Sequence, residues 1–548
     1  MTAQAHDIEA DVIIVGAGIV GTLVATRLAR AGVRVVILEA GPRVDRERAL
    51  QRYRESLVKL PETPYEAVAH APAPRLDAIG DYYVQAGPEN FQSNYLRLVG
   101  GTLWHWLGTT PRLHPSDFEM KSRFGVGVDW PIGYAELEPY YAEAERVLGV
   151  AGEGDLESPR STPYPMPPIA LTHRDRAWAR AIAPLGLRVN VNPQARNSTA
   201  YDGRPPCDGQ ASCVPICPTV ARFDASVQVA RAERAGVRIV ENAVAVFIEV
   251  GEGERIRCIH VRRPDGTSQI ARGRSYVLAA HSIETPKLLF LSRTAERPHG
   301  IANGSDQVGR HLMDHPAQLT WALAREPLGS YRAPHAVAGI DHFRFRDFEG
   351  ADPRAQRSAF RVELRNDGWN FGKGGPTFLL PELLARGRGV RGASLQRELA
   401  LHAHRQSTLL SLMEQLPDPE NRITLAEDAL DSSGLPRPKI HFALGDYERQ
   451  GLAAARATHD RLFQALGATN AEHAPTWFGA GHILGTYRMG NDPKTSVVSA
   501  RGRSHDHANL FILGGGQMPT GGTVNPTLTV TALALYALPE IQKALSGS

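Results

Sequence analysis

The chain is poor in cysteine, with four in 548 residues, too few for a disulfide framework. It lacks an excess of either charge: 61 Lys and Arg stand against 58 Asp and Glu, a formal net charge of +3. No basic block stands out, which argues against nucleic acid as a partner. No uninterrupted apolar run of about eighteen residues occurs, so no transmembrane segment is predicted. The opening MTAQAHDIEA has neither a basic n-region nor an apolar h-region, so no signal peptide is predicted. The chain is expected to be made in the cytoplasm, with export in the folded state, carried by a partner that has a signal, left open. What is present is an ordinary globular mixture, 42% hydrophobic and 22% charged. The length exceeds one compact core and implies two domains or one elaborated α/β unit.

The clearest unit is DVIIVGAGIVGTLVATRLARAGVRVVILEAG, residues 11–41. Asp11 to Val15 reads as a buried parallel strand, Thr22 to Ala31 as a helix stopped by Gly32, and Val33 to Leu38 as a second buried strand. Between strand and helix lie Gly16, Gly18 and Gly21, the G-x-G-x-x-G of a dinucleotide site in its required context. Gly16 permits the tight turn, Gly18 lets backbone approach a pyrophosphate, and Gly21 lets helix and strand pack closely. The helix N-terminus faces the phosphates. Glu39 is placed to accept from ribose hydroxyls and to repel a 2′-phosphate. This unit alone does not choose between NAD and FAD.

Further along, residues 45–95 read as irregular surface excursions and 151–200 as Pro-rich loop. Residues 129–149 are helical after Tyr134. Residues 235–280 form several short strands, and Ser282 is a plausible cap for the helix SIETPKLL. Residues 326–470 are Arg-rich and lack glycine fingerprints, which suggests a second domain inserted into the first. Near residue 475 the glycine-rich style returns.

LVGGTLWHW, DWPIGYAELEPYY, SIETPKLL, VGRHLMDHP, GHILGTYRMG and NPTLTVTALAL follow one another along the chain. In content and order they resemble the glucose–methanol–choline (GMC) flavin oxidoreductases, from near residue 10 to near residue 540. The resemblance implies FAD, oxidation of an alcohol, and an α/β fold: a discontinuous Rossmann-like FAD-binding domain with an α+β substrate domain on an antiparallel sheet. The expected divisions are 1–115, 196–325 (with an iron–sulfur segment at 201–225) and 471–548 for the FAD-binding parts, 116–195 as a connecting segment, and 326–470 for the substrate domain. His482 matches the family's base and Asn525 its second active-site residue. A histidine also suits the chemistry, since a hydroxyl proton needs a base near neutral pKa. Asn525 reads as the N-cap of a helix from Thr527 to Leu538, with Pro526 favoured at its start. That helix would turn its positive end toward the flavin ring. Gly100, Gly101, Pro526 and Thr527 are expected at the flavin. His105, in TLWHW, is either a covalent flavin attachment point or a packing residue between Trp104 and Trp106.

Three of the four cysteines lie in CDGQASCVPICP, as C-x5-C-x3-C-P. Structural zinc normally takes four ligands, often in C-x2-C pairs, which this spacing does not supply. A closing C-P occurs in bacterial iron–sulfur runs, and three thiolates suit a 3Fe–4S cluster. Here the chain resembles the catalytic subunits of bacterial glucose, fructose, sorbitol and gluconate dehydrogenase complexes, although Asp208 stands where many of those have a further cysteine. That resemblance implies ligation by Cys207, Cys213 and Cys217, a sugar or polyol substrate, a small chaperone-like subunit and a cytochrome c electron acceptor. A Cys207–Cys213 disulfide, or three buried thiols, is the alternative, and Cys258 reads as a small buried residue. Trp477 and Phe478 are either a sugar-stacking face or pocket wall. Arg386 to Arg391 is read as solvated surface, or as a site for an acidic substrate or partner. An oxygen-using oxidase, a glycoside 3-dehydrogenase and a non-catalytic electron-transfer or assembly subunit remain as other functions.

Overall fold

Val12–Val15, Val35–Leu38 and Ser275–Leu278 are buried at every residue, as expected of strands covered on both faces. In the computed structural model, which describes residues 7–57, 60–154, 158–332, 334–365, 380–381, 384–385 and 390–546, they form the centre of a five-stranded sheet. Its order is Leu510–Ile512, Ser275–Leu278, Val12–Val15, Val35–Leu38, Arg238–Val240, and every pairing is parallel. Strands from the beginning, middle and end of the chain therefore share one sheet, which is the discontinuous Rossmann-like unit that was expected. The helices Ile19–Arg30 and Thr527–Ser546 pack on each other and against this sheet. Beside it lies a four-stranded sheet of Ile8–Glu9, Ser268–Arg272, Ile256–Arg262 and Val244–Val250.

The other half is built on an antiparallel sheet in the order Thr469–His473, Pro316–Leu323, Gln406–Met413, Phe360–Arg365, Ala338–Ile340, Asn190–Val191. Phe478–Gly479 also pairs with Pro316–Leu323. Gln406–Met413 is buried along its whole length. The helix Asp446–Ala465 packs on this sheet. Pro316–Leu323 and Asn190–Val191 lie outside the 326–470 segment, so the sheet recruits strands from the flanking chain. Residues 386–389 of the Arg-rich segment lie outside the described residues. Among the described residues no helix is long and apolar enough to cross a membrane.

Several local expectations are corrected. Residues 45–95 are not merely surface: Arg46–Glu55 is a helix, and Tyr82, Tyr83, Phe91 and Tyr95 are buried. Tyr82 and Tyr83 flank the short strand Val84–Gln85, which pairs with Pro436–His441 from the other half. Within 151–200, His173–Ile182 is a helix whose cap Thr172 accepts from the Asp175 amide while Asp175 accepts from the Thr172 amide. Ser282 does not cap: the helix is Glu284–Leu291, and the Ser282 hydroxyl donates to the Ile483 carbonyl at 2.6 Å. The last helix does not stop at Leu538 but runs through Pro539 to Ser546.

Trp178 joins the His173–Ile182 helix to the antiparallel sheet. It is fully buried, lies 5.5 Å from the Phe463 ring between centroids, and its Nε1–H donates to Ser407 Oγ at 3.0 Å. Trp178→Ala removes both the volume and the donor, so chemical denaturation of the variant is expected to show a loss of about 3–5 kcal/mol. A loss below about 1 kcal/mol would mean that the helix does not share the stability of the sheet.

Candidate active site

The glycine motif behaves as its spacing implies. A Cβ on Gly16, where φ is +102°, would lie 2.4 Å from the Ala279 carbonyl oxygen, and one on Gly21 would lie 2.0 Å from the Gly16 carbonyl oxygen. At Gly18 nothing lies within 4 Å of that position, so the backbone there is open to a ligand. Glu39 Oε2 accepts from the Ala17 amide at 2.8 Å and Oε1 from the Gly41 amide at 3.2 Å. Burial raises its carboxyl above the ordinary range, and these amides partly offset the rise. Gly16, Gly18, Glu39 and Gly101 all line one cavity. Gly100 stands behind it, its amide donating to the Ala17 carbonyl at 3.1 Å. A glycine-walled loop with a carboxylate at the end of the next strand fits a dinucleotide.

His482, Pro526 and Thr527 line the same cavity. The Val530 amide donates to the Pro526 carbonyl at 2.9 Å, so Pro526 occupies the cap position and Asn525 precedes it. This corrects the expected cap. Asn525 is instead free to use its side chain at the site. Its Nδ2 lies 3.2 Å from His482 Nε2, and its Oδ1 is buried without a hydrogen-bond partner. The first turn of Thr527–Ser546 turns its positive end to the cavity.

The structure adds two residues that sequence reasoning missed, Asp314 and His315 of the VGRHLMDHP segment. His315 is fully buried, with Nε2 at 3.0 Å from the Gly522 carbonyl and Nδ1 at 3.0 Å from His482 Nδ1. A carbonyl only accepts, so His315 Nε2 carries the hydrogen and, in the neutral ring, its Nδ1 is an acceptor. His482 Nδ1–H must then be the donor between the rings, which leaves the lone pair on His482 Nε2, the atom beside Asn525. Asp314 holds the pair in place: Oδ1 accepts from the amides of His315 at 2.6 Å and His482 at 2.9 Å, and Oδ2 from Gly481 at 3.3 Å and from the Ser93 hydroxyl. The signal was present in the adjacent Asp and His of MDHP, but nothing local ties them to a histidine far along the chain.

The remaining candidates separate. Thr102, Leu103 and Trp106 line the cavity, whereas His105 does not. Its ring sits 6.4 Å from that of Tyr65, its Nε2 is buried without a partner, and burial, with the Arg222 cation, holds its pKa down to about 4. Trp477 packs 5.7 Å from Phe442, and Phe478 joins a small cluster with Ala317, Leu410 and Leu412. Neither faces this cavity.

Cys207, Cys213 and Cys217 form no disulfide in the structure. Their sulfur atoms do not all lie within 4.8 Å of one another, so one shared ion does not fit. A three-iron cluster makes a different demand, since each thiolate binds its own iron. The surroundings suit such an anionic group. The buried Arg196 has Nε and Nη2 without hydrogen-bond partners, and Arg222 has Nε without one. Burial would raise the Cys217 thiol, but Arg222 and the neighbouring backbone donors outweigh it and the pKa is lowered. Cys207 is pushed up by burial and by Cys213 and Cys217, against Arg196. Arg222 also donates to the Trp104 carbonyl at 2.8 Å and to that of Trp106, and Trp106 Nε1–H donates to the Phe223 carbonyl at 2.7 Å. The cysteine loop is thus tied to the turn that lines the cavity.

Two tests follow from this geometry. Acid precipitation of the holoprotein should leave all flavin in the supernatant, because His105 does not reach the cavity; yellow colour in the pellet would reverse that assignment. Burial, and next the neighbouring His315, hold His482 well below the ordinary histidine pKa. The neutral base therefore persists as pH falls, and the acid limb of kcat/KM should lie below about 6.5. His315→Leu removes the acceptor that holds the His482 proton on Nδ1. It should lower kcat at least tenfold, roughly, by loosening the tautomer, and shift the acid limb of kcat/KM. An unchanged pH profile would leave His315 as mere packing.

Comparison with known proteins identifies the family. The models of the GMC oxidoreductase N- and C-terminal regions match residues 10–317 and 417–534. The fructose dehydrogenase large subunit of Gluconobacter japonicus is 37% identical over 97% of this chain and 98% of its own. Paromamine 6'-oxidase of Streptomyces fradiae is 29% identical over 98% and 92%. Among solved structures, pyridoxine 4-oxidase from Mesorbium loti has the same fold, with a TM-score of 0.66 at 20% identity over 97% of this chain and 99% of that one. With a glycine loop that fits a dinucleotide and these matches along nearly all of its length, the chain belongs to the GMC oxidoreductase family.

Proposed function

We propose that the protein is an FAD-dependent dehydrogenase that oxidises a CH–OH group of a sugar or polyol and passes the electrons through a 3Fe–4S cluster to an external acceptor. The observation that carries the catalytic half is that His482 lines the cavity with its Nε2 at 3.2 Å from Asn525 Nδ2. The substrate class is supported by the name of the fructose dehydrogenase relative.

The residues divide the work. Asn525 Nδ2 now rests on His482 Nε2; an incoming hydroxyl replaces that contact, so that Asn525 donates to the substrate oxygen and His482 Nε2 takes its proton. The imidazolium so formed keeps Nδ1–H on His315. It lies beside the Asp314 carboxylate, whose oxygen and the two ring nitrogens fall within 4.8 Å of one another, and this proximity stabilises the charge. Bound flavin supplies a hydride acceptor and a cluster supplies one-electron transfer. Gly16, Gly18, Gly21 and Glu39 would hold the dinucleotide. Cys207, Cys213 and Cys217 would ligate the irons, with Arg196 and Arg222 donating to the cluster's sulfur atoms.

The relative's description as a large subunit supports assembly with other subunits. In this reading they are a small chaperone-like subunit and a cytochrome c acceptor, and folded export with a partner is part of the proposal.

The test is a visible and EPR spectrum of protein made with adequate iron, with iron and sulfide assays, followed by anaerobic addition of a panel of sugars and polyols. The reading requires flavin bands, iron and sulfide, a spin-half signal in the oxidised state, and bleaching by at least one substrate. His482→Ala should abolish the bleaching and keep both cofactors. Flavin without iron, with stoichiometric peroxide formed in air, would replace this reading with an oxidase.

A further inference from the structure

In the four-stranded sheet, Val244–Val250 pairs antiparallel with Ile256–Arg262. Ile248, Ile256, Ile259 and Val261 are buried in the main core. Glu249 stands opposite Cys258, and His260 stands opposite Phe247, with register shifts on either side at Ala245/Phe247 and Glu249/Val250. Residues two apart on a strand share a face, so His260 lies beside Cys258, and Glu249 reaches both across the ladder. Cys258 Sγ is 3.2 Å from Glu249 Oε2 and 3.7 Å from His260 Nε2, and His260 Nε2 is 3.1 Å from the same Oε2.

We propose that Glu249, Cys258 and His260 form a binding site for a zinc-like divalent cation, separate from the redox centre. The ligand set of one thiolate, one imidazole and one carboxylate suits zinc. Zinc bonds of about 2.0–2.3 Å at tetrahedral angles place ligand atoms roughly 3.3–3.6 Å apart. The three separations here scatter closely about that range, so one cation fits without moving the backbone. The carboxylate is already oriented: Arg257 Nη1–H donates to Glu249 Oε1 at 2.8 Å, which leaves Oε2 toward the other two. The Glu249 and His260 side chains are 30% and 36% exposed, so the cation has an entry path and a fourth position for water. On binding, the cation displaces the Cys258 proton to solvent and links the two strands at their bulges. None of the three residues lines the flavin-side cavity. Cys258 is therefore more than the small buried residue its strand pattern suggests.

The test is titration of the holoprotein with Co²⁺, followed by displacement with Zn²⁺. Tetrahedral cobalt with a thiolate ligand absorbs to the red of oxidised flavin. One equivalent of such absorption is expected, removed by Zn²⁺ and weakened at least tenfold in Cys258→Ser and in His260→Gln, with flavin content and circular dichroism unchanged. Absence of the red bands, or bands that persist in both variants, would overturn the proposal. Bands lost instead in Cys213→Ser would assign the cobalt to the other three cysteines and overturn it equally. If Cys258→Ser fails to fold, His260→Gln decides alone.

Discussion

One backbone carbonyl sets the direction of the hydrogen bond between His315 and His482. Because the Gly522 oxygen can only accept, His315 must donate to it through Nε2 and accept through Nδ1, and His482 must then donate through its own Nδ1. The lone pair on His482 Nε2 results from two linked hydrogen bonds, one buried and one partly buried, and an unmade bond costs most where water is excluded. The rest of the active centre maintains this line. Asp314 clamps the backbone of both histidines, and Gln415 accepts from the amide of Asp314 at 2.9 Å. The final helix brings Asn525 to the base. Segments near residues 315, 482 and 522 must therefore meet, and only the closed two-part fold brings them together.

That dependence explains what was legible beforehand. The glycine loop, the two strands around it and Glu39 form one local unit of the chain, so their spacing carries nearly all the information. His482 and Asn525 stand out because their immediate neighbours are distinctive, and the structure brings their side chains together. Asp314 and His315 do not stand out, because their role lies in a contact with a ring 167 positions away. The capping of the last helix was misjudged for a related reason. Asn is a strong cap by local preference, but here Asn525 Nδ2 lies at His482 Nε2, its Oδ1 caps nothing, and Pro526 takes the cap position. The buried tyrosines of 45–95 look like surface residues by composition. They are buried because the Val84–Gln85 strand beside Tyr82 and Tyr83 pairs across to Pro436–His441, and a strand pairing of this range leaves no trace in local pattern.

Arg222 couples the cysteine loop to the turn that lines the cavity. Its side chain satisfies carbonyls of the TLWHW turn while its charge lowers the Cys217 thiol. A buried guanidinium is costly unless it is paired. The carbonyls of the turn compensate the part nearest the cavity, and its remaining Nε–H stays unpartnered. Arg196, with two such nitrogens, repeats the pattern next to Cys207. An excess of buried donors around three thiols is an arrangement that favours negative charge there, as the proposed cluster would require.

The four cysteines show how far neighbours, rather than residue type, decide chemistry. Cys217 sits among cations and backbone donors, and its thiol is shifted toward the thiolate. Cys258 is also buried, but it faces the Glu249 carboxylate, and burial together with that charge pushes its thiol up to about 12. Left alone, Cys258 keeps its proton and gives it to Glu249 in a hydrogen bond. Only a cation placed among the sulfur, the imidazole and the carboxylate reverses the sign of the local field. The protein's own positive charge therefore shifts Cys217 toward the thiolate, whereas Cys258 requires the proposed metal to supply that charge itself.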